Sequence, residues 1–145
     1  MTGVAVIDSN VLVAGLLTRR PDSPTARIVD GMLTARFRFA LSMELLAEYH
    51  RVLRYPKVAR LHGLSDAAIN DFLTELALPA IMVEPGQCQV DLADPDDAFL
   101  FQMLIELPEG LLVTGDQLLL ECGPDWARVV EPVQFVEEAL LSSRP

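Results

Sequence analysis

Two kinds of hydrophobic pattern alternate along this chain: short apolar or β-branched runs, and longer stretches whose apolar residues recur at helical spacing. Val4–Asp8 is a run of the first kind and predicts a strand buried on both faces. A loop carrying Arg19, Arg20 and Pro21 leads to Ser23-Pro24, which reads as N-cap and first residue of a helix to about Ala35. Phe37–Leu41 alternates Phe, Arg, Phe and predicts the second strand. Ser42 caps a helix through about Arg54, which Tyr55-Pro56 stops. A short helical piece, Lys57–His62, ends at Gly63, and Ser65 caps another helix reaching about Leu78. Ala80–Val83 predicts a third strand, with Glu84-Pro85-Gly86 as a turn behind it. Asp94-Pro95 opens a helix to about Leu107, and Pro108-Glu109-Gly110 connects it to strand four, Leu111–Thr114. Gln117–Cys122 is a short helix, Arg128–Val130 a fifth strand, and Pro132–Leu141 a closing helix. Strands separated by helices throughout predict an α/β domain, residues 1–145, whose parallel sheet is covered on both faces.

Composition supports a packed core. The 145 residues are 51% hydrophobic, enough for one ordinary domain and unlike a disordered chain. No apolar run approaches the length that crosses a bilayer, and no basic leader precedes the first strand, so a cytoplasmic location is expected. Cys88 and Cys122 lack metal-type spacing and read as ordinary reduced cysteines. The net charge of −10 argues at first against a polyanion partner, but its distribution changes the picture. Residues 1–60 hold nine of the eleven basic residues against five acids, a net +4, whereas residues 61–145 carry −14. This asymmetry fits either an uneven solvated surface or a polyanion-facing side, the latter built on Arg19, Arg20, Arg51, Arg54 and Lys57.

The candidate chemistry lies in four acids where segments change character. Asp8 ends the first apolar run, and Asp116 follows Leu111–Gly115. In an open parallel sheet, ligands bind outside the carboxyl ends of the strands, where strand order reverses. Taken singly, each aspartate is an ordinary turn residue or helix cap; if the two strands are neighbours, both face one crevice. Glu48 sits at the edge of the apolar arc formed by Leu45, Leu46, Tyr49, Val52 and Leu53, with Glu44 and Arg51 further toward solvent. An i to i+3 surface pair between Glu48 and Arg51 is the competing reading. In Asp94-Pro95-Asp96-Asp97, Asp94 as N-cap and Asp97 three beyond it would by themselves explain the acids. Asp97 could also point toward the crevice. Gathered carboxylates offer hard oxygen ligands for Mg²⁺ or Mn²⁺ and hence phosphodiester chemistry. His50 and His62 lack neighbours at zinc spacing, and no dinucleotide or phosphate-loop glycine motif is present.

The ordered set of motifs resembles the PIN domain family, particularly the VapC-like ribonuclease toxins of bacterial toxin–antitoxin systems. The matching pieces are Val6-Ile7-Asp8-Ser9-Asn10-Val11-Leu12, Glu44–Glu48 leading to Val52–Val58, Asp94-Pro95-Asp96-Asp97, and Val113-Thr114-Gly115-Asp116. The resemblance implies a three-layer α/β/α sandwich whose five-stranded parallel sheet runs 3-2-1-4-5. It also implies Mg²⁺ or Mn²⁺ held chiefly by Asp8 and Asp116, with Glu48 and Asp97 completing the shell through water or orienting the nucleophile, and Asn10 and Thr114 in support. An RNA substrate, a cognate antitoxin protein and a homodimer are the partners it implies. The alternative expectation is a PIN-like binding or regulatory module that keeps the acidic pocket without cutting RNA, which the low basic content favours.

Overall fold

The computed structural model describes residues 3–86, 90 and 95–141. Strand β1 (Ala5–Ile7) has all three side chains buried, and so does β4 (Leu111–Val113). Successive side chains on a strand point to opposite faces, so both faces of this sheet are covered. β1 pairs in parallel with β4, and β4 in parallel with β5 (Arg128–Val130). A second parallel ladder joins β2 (Ala40–Leu41) to β3 (Ile81–Met82).

The expected single five-stranded sheet is therefore corrected to a three-stranded sheet, β1-β4-β5, and a two-stranded one, β2-β3. One parallel bridge, Ala5 to Phe39, links them, with the Ala5 amide donating to the Arg38 carbonyl at 3.0 Å. The physical reason is length. The chain turns into helix α3 (Met43–Leu53) almost directly after Leu41, so β2 is too short to run on beside β1. Phe37 and Phe39 still bury their rings as the alternation predicts, while Arg38 is exposed. Phe37 meets Phe135 edge-on, ring centroids 4.9 Å apart, and so ties this segment to the last helix.

Directly after β1 the structure has a helix, α1 (Ser9–Leu17), where a loop was expected. Its sequence is apolar almost all round, so it lacks the stripe by which a surface helix is recognised. It lies against α2 (Pro24–Leu33) at Gly15, where a Cβ would meet the Thr25 carbonyl oxygen at 2.4 Å and the Val29 side chain at 2.5 Å. Only glycine permits that approach.

Helix α3 starts where Ser42 accepts from the Leu45 amide at 3.1 Å, and it buries Leu45, Tyr49 and Leu53. Helix α4 (Pro56–His62) ends at Gly63, whose φ of 66° closes it in the left-handed conformation that glycine favours. Helix α5 (Asp66–Ala77) follows its Ser65 cap. A single 3₁₀ turn, Pro95–Asp97, precedes α6 (Ala98–Ile105), which buries Phe99, Leu100, Phe101, Met103 and Leu104. Asp97 thus occupies the N-cap position of the α-helix, not the third position inside it, and its side chain makes no capping hydrogen bond. Asp94, expected as the cap, lies outside the described residues, as does Cys88. Helix α7 (Gln117–Cys122) has the expected bounds. The closing helix, α8, is α-helical over Pro132–Phe135 and π-wound over Val136–Leu141. Among the described residues no helix is long and apolar enough to cross a membrane.

Candidate active site

Because β1 and β4 are hydrogen-bonded neighbours, their carboxyl ends lie side by side, and the residues just beyond them build one cluster. Asp8, 6% exposed, accepts on one oxygen from the Ser9 amide at 2.8 Å. Its other oxygen accepts from the Thr114 hydroxyl at 2.7 Å and the Asn10 side-chain amide at 3.2 Å. Thr114 is fully buried, and its hydroxyl oxygen in turn accepts from the Asp116 amide at 3.0 Å. The Asn10 carbonyl oxygen accepts from the Gly115 amide at 3.0 Å. Asn10 and Thr114 therefore stitch the end of β1 to the end of β4. Asp116 caps α7, accepting from the Leu118 amide at 2.9 Å.

This enclosure raises the pKa of Asp8. Burial is the largest cause, and the neighbouring Asp116 charge adds to it. Hydrogen bonds from Thr114, Ser9 and Asn10 oppose the rise. Beneath the cluster, the fully buried Tyr49 hydroxyl donates to the Ile7 carbonyl. Burial, and then the Asp8 charge, push its pKa well above the ordinary tyrosine value, so it stays a donor.

Glu48, on α3, reaches this group through Ser9, whose hydroxyl donates to one Glu48 oxygen at 3.3 Å. Its other oxygen pairs with the Arg51 guanidinium. Glu48 and Asp97 both line a cleft of about 810 Å³ between α3 and the start of α6, together with Glu44, Arg51, Tyr55, Asp96 and Gln102. Asp8 and Asp116 are thus joined through Thr114, Glu48 is joined to Asp8 through Ser9, and Asp97 shares the cleft with Glu48.

The donor chemistry suits a hard divalent cation: every candidate ligand is a carboxylate oxygen, and one of them is buried at an electrostatic cost that a cation would relieve. Among the described residues, no three acidic, histidine or cysteine side chains already converge tightly enough to enclose an ion. The Arg51 guanidinium pairs with one Glu48 oxygen, while the other faces the Ser9 hydroxyl beside Asp8. Both His62 ring nitrogens are engaged by backbone, at Leu53 O and Leu64 N, which leaves this histidine no nitrogen for zinc.

The five basic residues singled out in the sequence do not share one environment. Arg51 lines the cleft, and Arg54 is held by Asp66 at 3.2 Å. Arg20 stands 4.0 Å from Asp22, while Arg19 and Lys57 are exposed. Sequence reasoning named Ser9 only as part of the first motif and treated Tyr49 as one more apolar position. Their partners lie 39 and 42 residues away, a distance that no local pattern reveals.

No curated protein matches this sequence. A family model for the PIN domain matches residues 4–118, a span running from β1 into α7 and containing Asp8, Glu48, Asp97 and Asp116. With most of its length covered by that match, the chain belongs to the PIN domain family.

Proposed function

We propose that this protein is a Mg²⁺- or Mn²⁺-dependent endoribonuclease acting as the VapC-like toxin of a toxin–antitoxin pair in the cytoplasm. PIN domains are typically nucleases that use divalent ions, which supports the reaction class. The observation that carries the reading is the pairing of Asp8 and Asp116 through Thr114 at adjacent strand ends.

In this proposal Asp8 and Asp116 hold the ion, while Glu48 and Asp97 complete its shell through water or orient the nucleophile. The ion supplies water activation and neutralises charge developing on the scissile phosphate. The chain's own residues do the positioning. Thr114 and the Ser9 amide fix the Asp8 carboxylate, Asn10 locks the two strand ends together, and the Leu118 amide of α7 holds the Asp116 carboxylate. Arg51, which lines the cleft beside Glu48, would be the cationic group for a substrate phosphate lying there. An antitoxin fits the same chemistry if it brings a basic side chain into the acidic pocket. A homodimer completes the set of expected partners.

Incubation with total RNA tests the reading. Cleavage is expected with Mn²⁺ and should be lost on adding EDTA. RNA binding without cleavage in Mn²⁺ would favour a regulatory PIN-like module instead. The observation behind that second reading is the Glu48–Arg51 pair, which neutralises one of the four acids internally.

A further inference from the structure

The split between the two sheets leaves a backbone group to account for. Along β1, the Val4 carbonyl accepts from the Leu111 amide, and the Asp8 amide donates to Val113, so alternate residues turn toward β4. Ala5 and Ile7 turn the other way, toward β2, and the Ala5 amide duly meets the Arg38 carbonyl. Beyond that bridge β2 gives way to α3, so the completely buried Ile7 carbonyl loses its strand neighbour. A buried carbonyl without a partner is costly, and the Tyr49 hydroxyl fills the place.

The location of this bond matters more than its strength. Ile7 precedes Asp8, and Tyr49 follows Glu48. Ser9, on the other side of Asp8, donates to Glu48 itself. Asp8 is therefore flanked on both sides by links to α3, one to backbone and one to side chain. The backbone link is the buried one, while the Ser9–Glu48 link is only part-buried.

We propose that Tyr49 is a positioning residue: its hydroxyl, donated to the Ile7 carbonyl, fixes the spacing between Asp8 on β1 and Glu48 on α3. This role rests on the nuclease reading above for its functional meaning, and on geometry alone for the spacing. Without the hydroxyl, the Ile7 carbonyl seeks water or another donor, and the end of β1 is freed from α3. Glu48 then meets Asp8 and Asp116 less often at the separation that an ion requires.

The test is Tyr49→Phe in the full chain, beside Ile69→Val as a control that lowers stability in α5, which carries none of the site residues. Mn²⁺ affinity, read by calorimetry without RNA, should fall about 10- to 100-fold in Tyr49→Phe, the usual effect of removing a group that orients a ligand. It should be unchanged in Ile69→Val. Hydrogen exchange at the Asp8, Ser9 and Asn10 amides, measured without metal, should quicken about tenfold in Tyr49→Phe only, the equivalent of one lost hydrogen bond. Wild-type Mn²⁺ affinity in Tyr49→Phe overturns the proposal, as does an equal loss in both variants. If the wild-type protein itself binds no Mn²⁺, the nuclease reading fails, and the exchange rates still decide whether Tyr49 holds the end of β1 against α3.

Discussion

At the scale of single residues, Asp8 and Asp116 were legible as acids because each follows an apolar run, and Thr114 and Asn10 because they sit beside them. What the sequence withheld was the pattern of bonds. Asp8 carries a raised pKa from burial and from the Asp116 charge, so between the unfolded and folded pKa values the folded chain binds more protons than the unfolded one. Stability from this group is fully present below the unfolded pKa and is lost as pH rises through the folded value. Asp116→Asn removes one cause of that rise while its remaining oxygen can still cap α7. The variant should melt no lower than wild type near pH 7 without metal, and less of its stability should be lost on raising the pH from acid to neutral. Its cleavage should fall more than about 100-fold, because even the hydrogen-bond partner of a metal ligand is worth about 10- to 100-fold. Differential scanning across pH and a cleavage assay check the two halves, and wild-type cleavage by this variant removes Asp116 from the site. Falling pH should also weaken Mn²⁺ binding as Asp8 becomes protonated, which a calorimetric pH series would register.

At the scale of elements, helix caps were the most readable signals. Ser23, Ser42 and Ser65 each accept from the backbone amide three residues on, where the sequence put N-caps. Helix α1 was missed for a physical reason: a helix apolar on nearly all sides has no period to detect. The length of β2 was overestimated at its start: Phe37, Arg38 and Phe39 do alternate in burial, but a ladder also needs a neighbour, and beside β1 this segment makes only the single bridge from Phe39 to Ala5. After α2, Ala35 adopts φ 57°, a left-handed conformation that costs an alanine roughly 1 kcal/mol. Ala35→Gly relieves it at some cost in unfolded-chain entropy, so a net gain of about 0.5 kcal/mol is expected by urea melt. Asp97→Asn makes the opposite kind of test. Its side chain makes no capping bond to α6, so a loss of cleavage in this variant would not be the loss of a helix cap, and such a loss is expected if Asp97 serves the cleft. A variant that cleaves normally would take Asp97 off the list.

At the scale of the whole molecule, the charge asymmetry read from the sequence is partly used up internally, since Arg51 and Arg54 are spent on Glu48 and Asp66. Arg19 and Arg20, both exposed, make the cleaner test of a polyanion-facing side. If both meet phosphates, replacing them with Gln should flatten the log–log salt dependence of single-stranded RNA binding by about 1.4, at about 0.7 per contact. Titration in Ca²⁺ measures it, and an unchanged slope places the binding surface elsewhere. The fold class was legible because strand and helix patterns alternate from end to end; the division into two ladders was not, because it depends on which backbone groups find partners across the molecule. One of those long-range bonds carries a consequence for how the protein comes into being. The Asp8 carboxylate and the Thr114 hydroxyl that holds it are 106 residues apart. On a ribosome, the first aspartate emerges long before the strand that completes its surroundings has been made. A nascent chain therefore carries Asp8, Glu48 and Asp97 before Thr114 is there to hold the first of them, so the cluster forms only once β4 has joined β1.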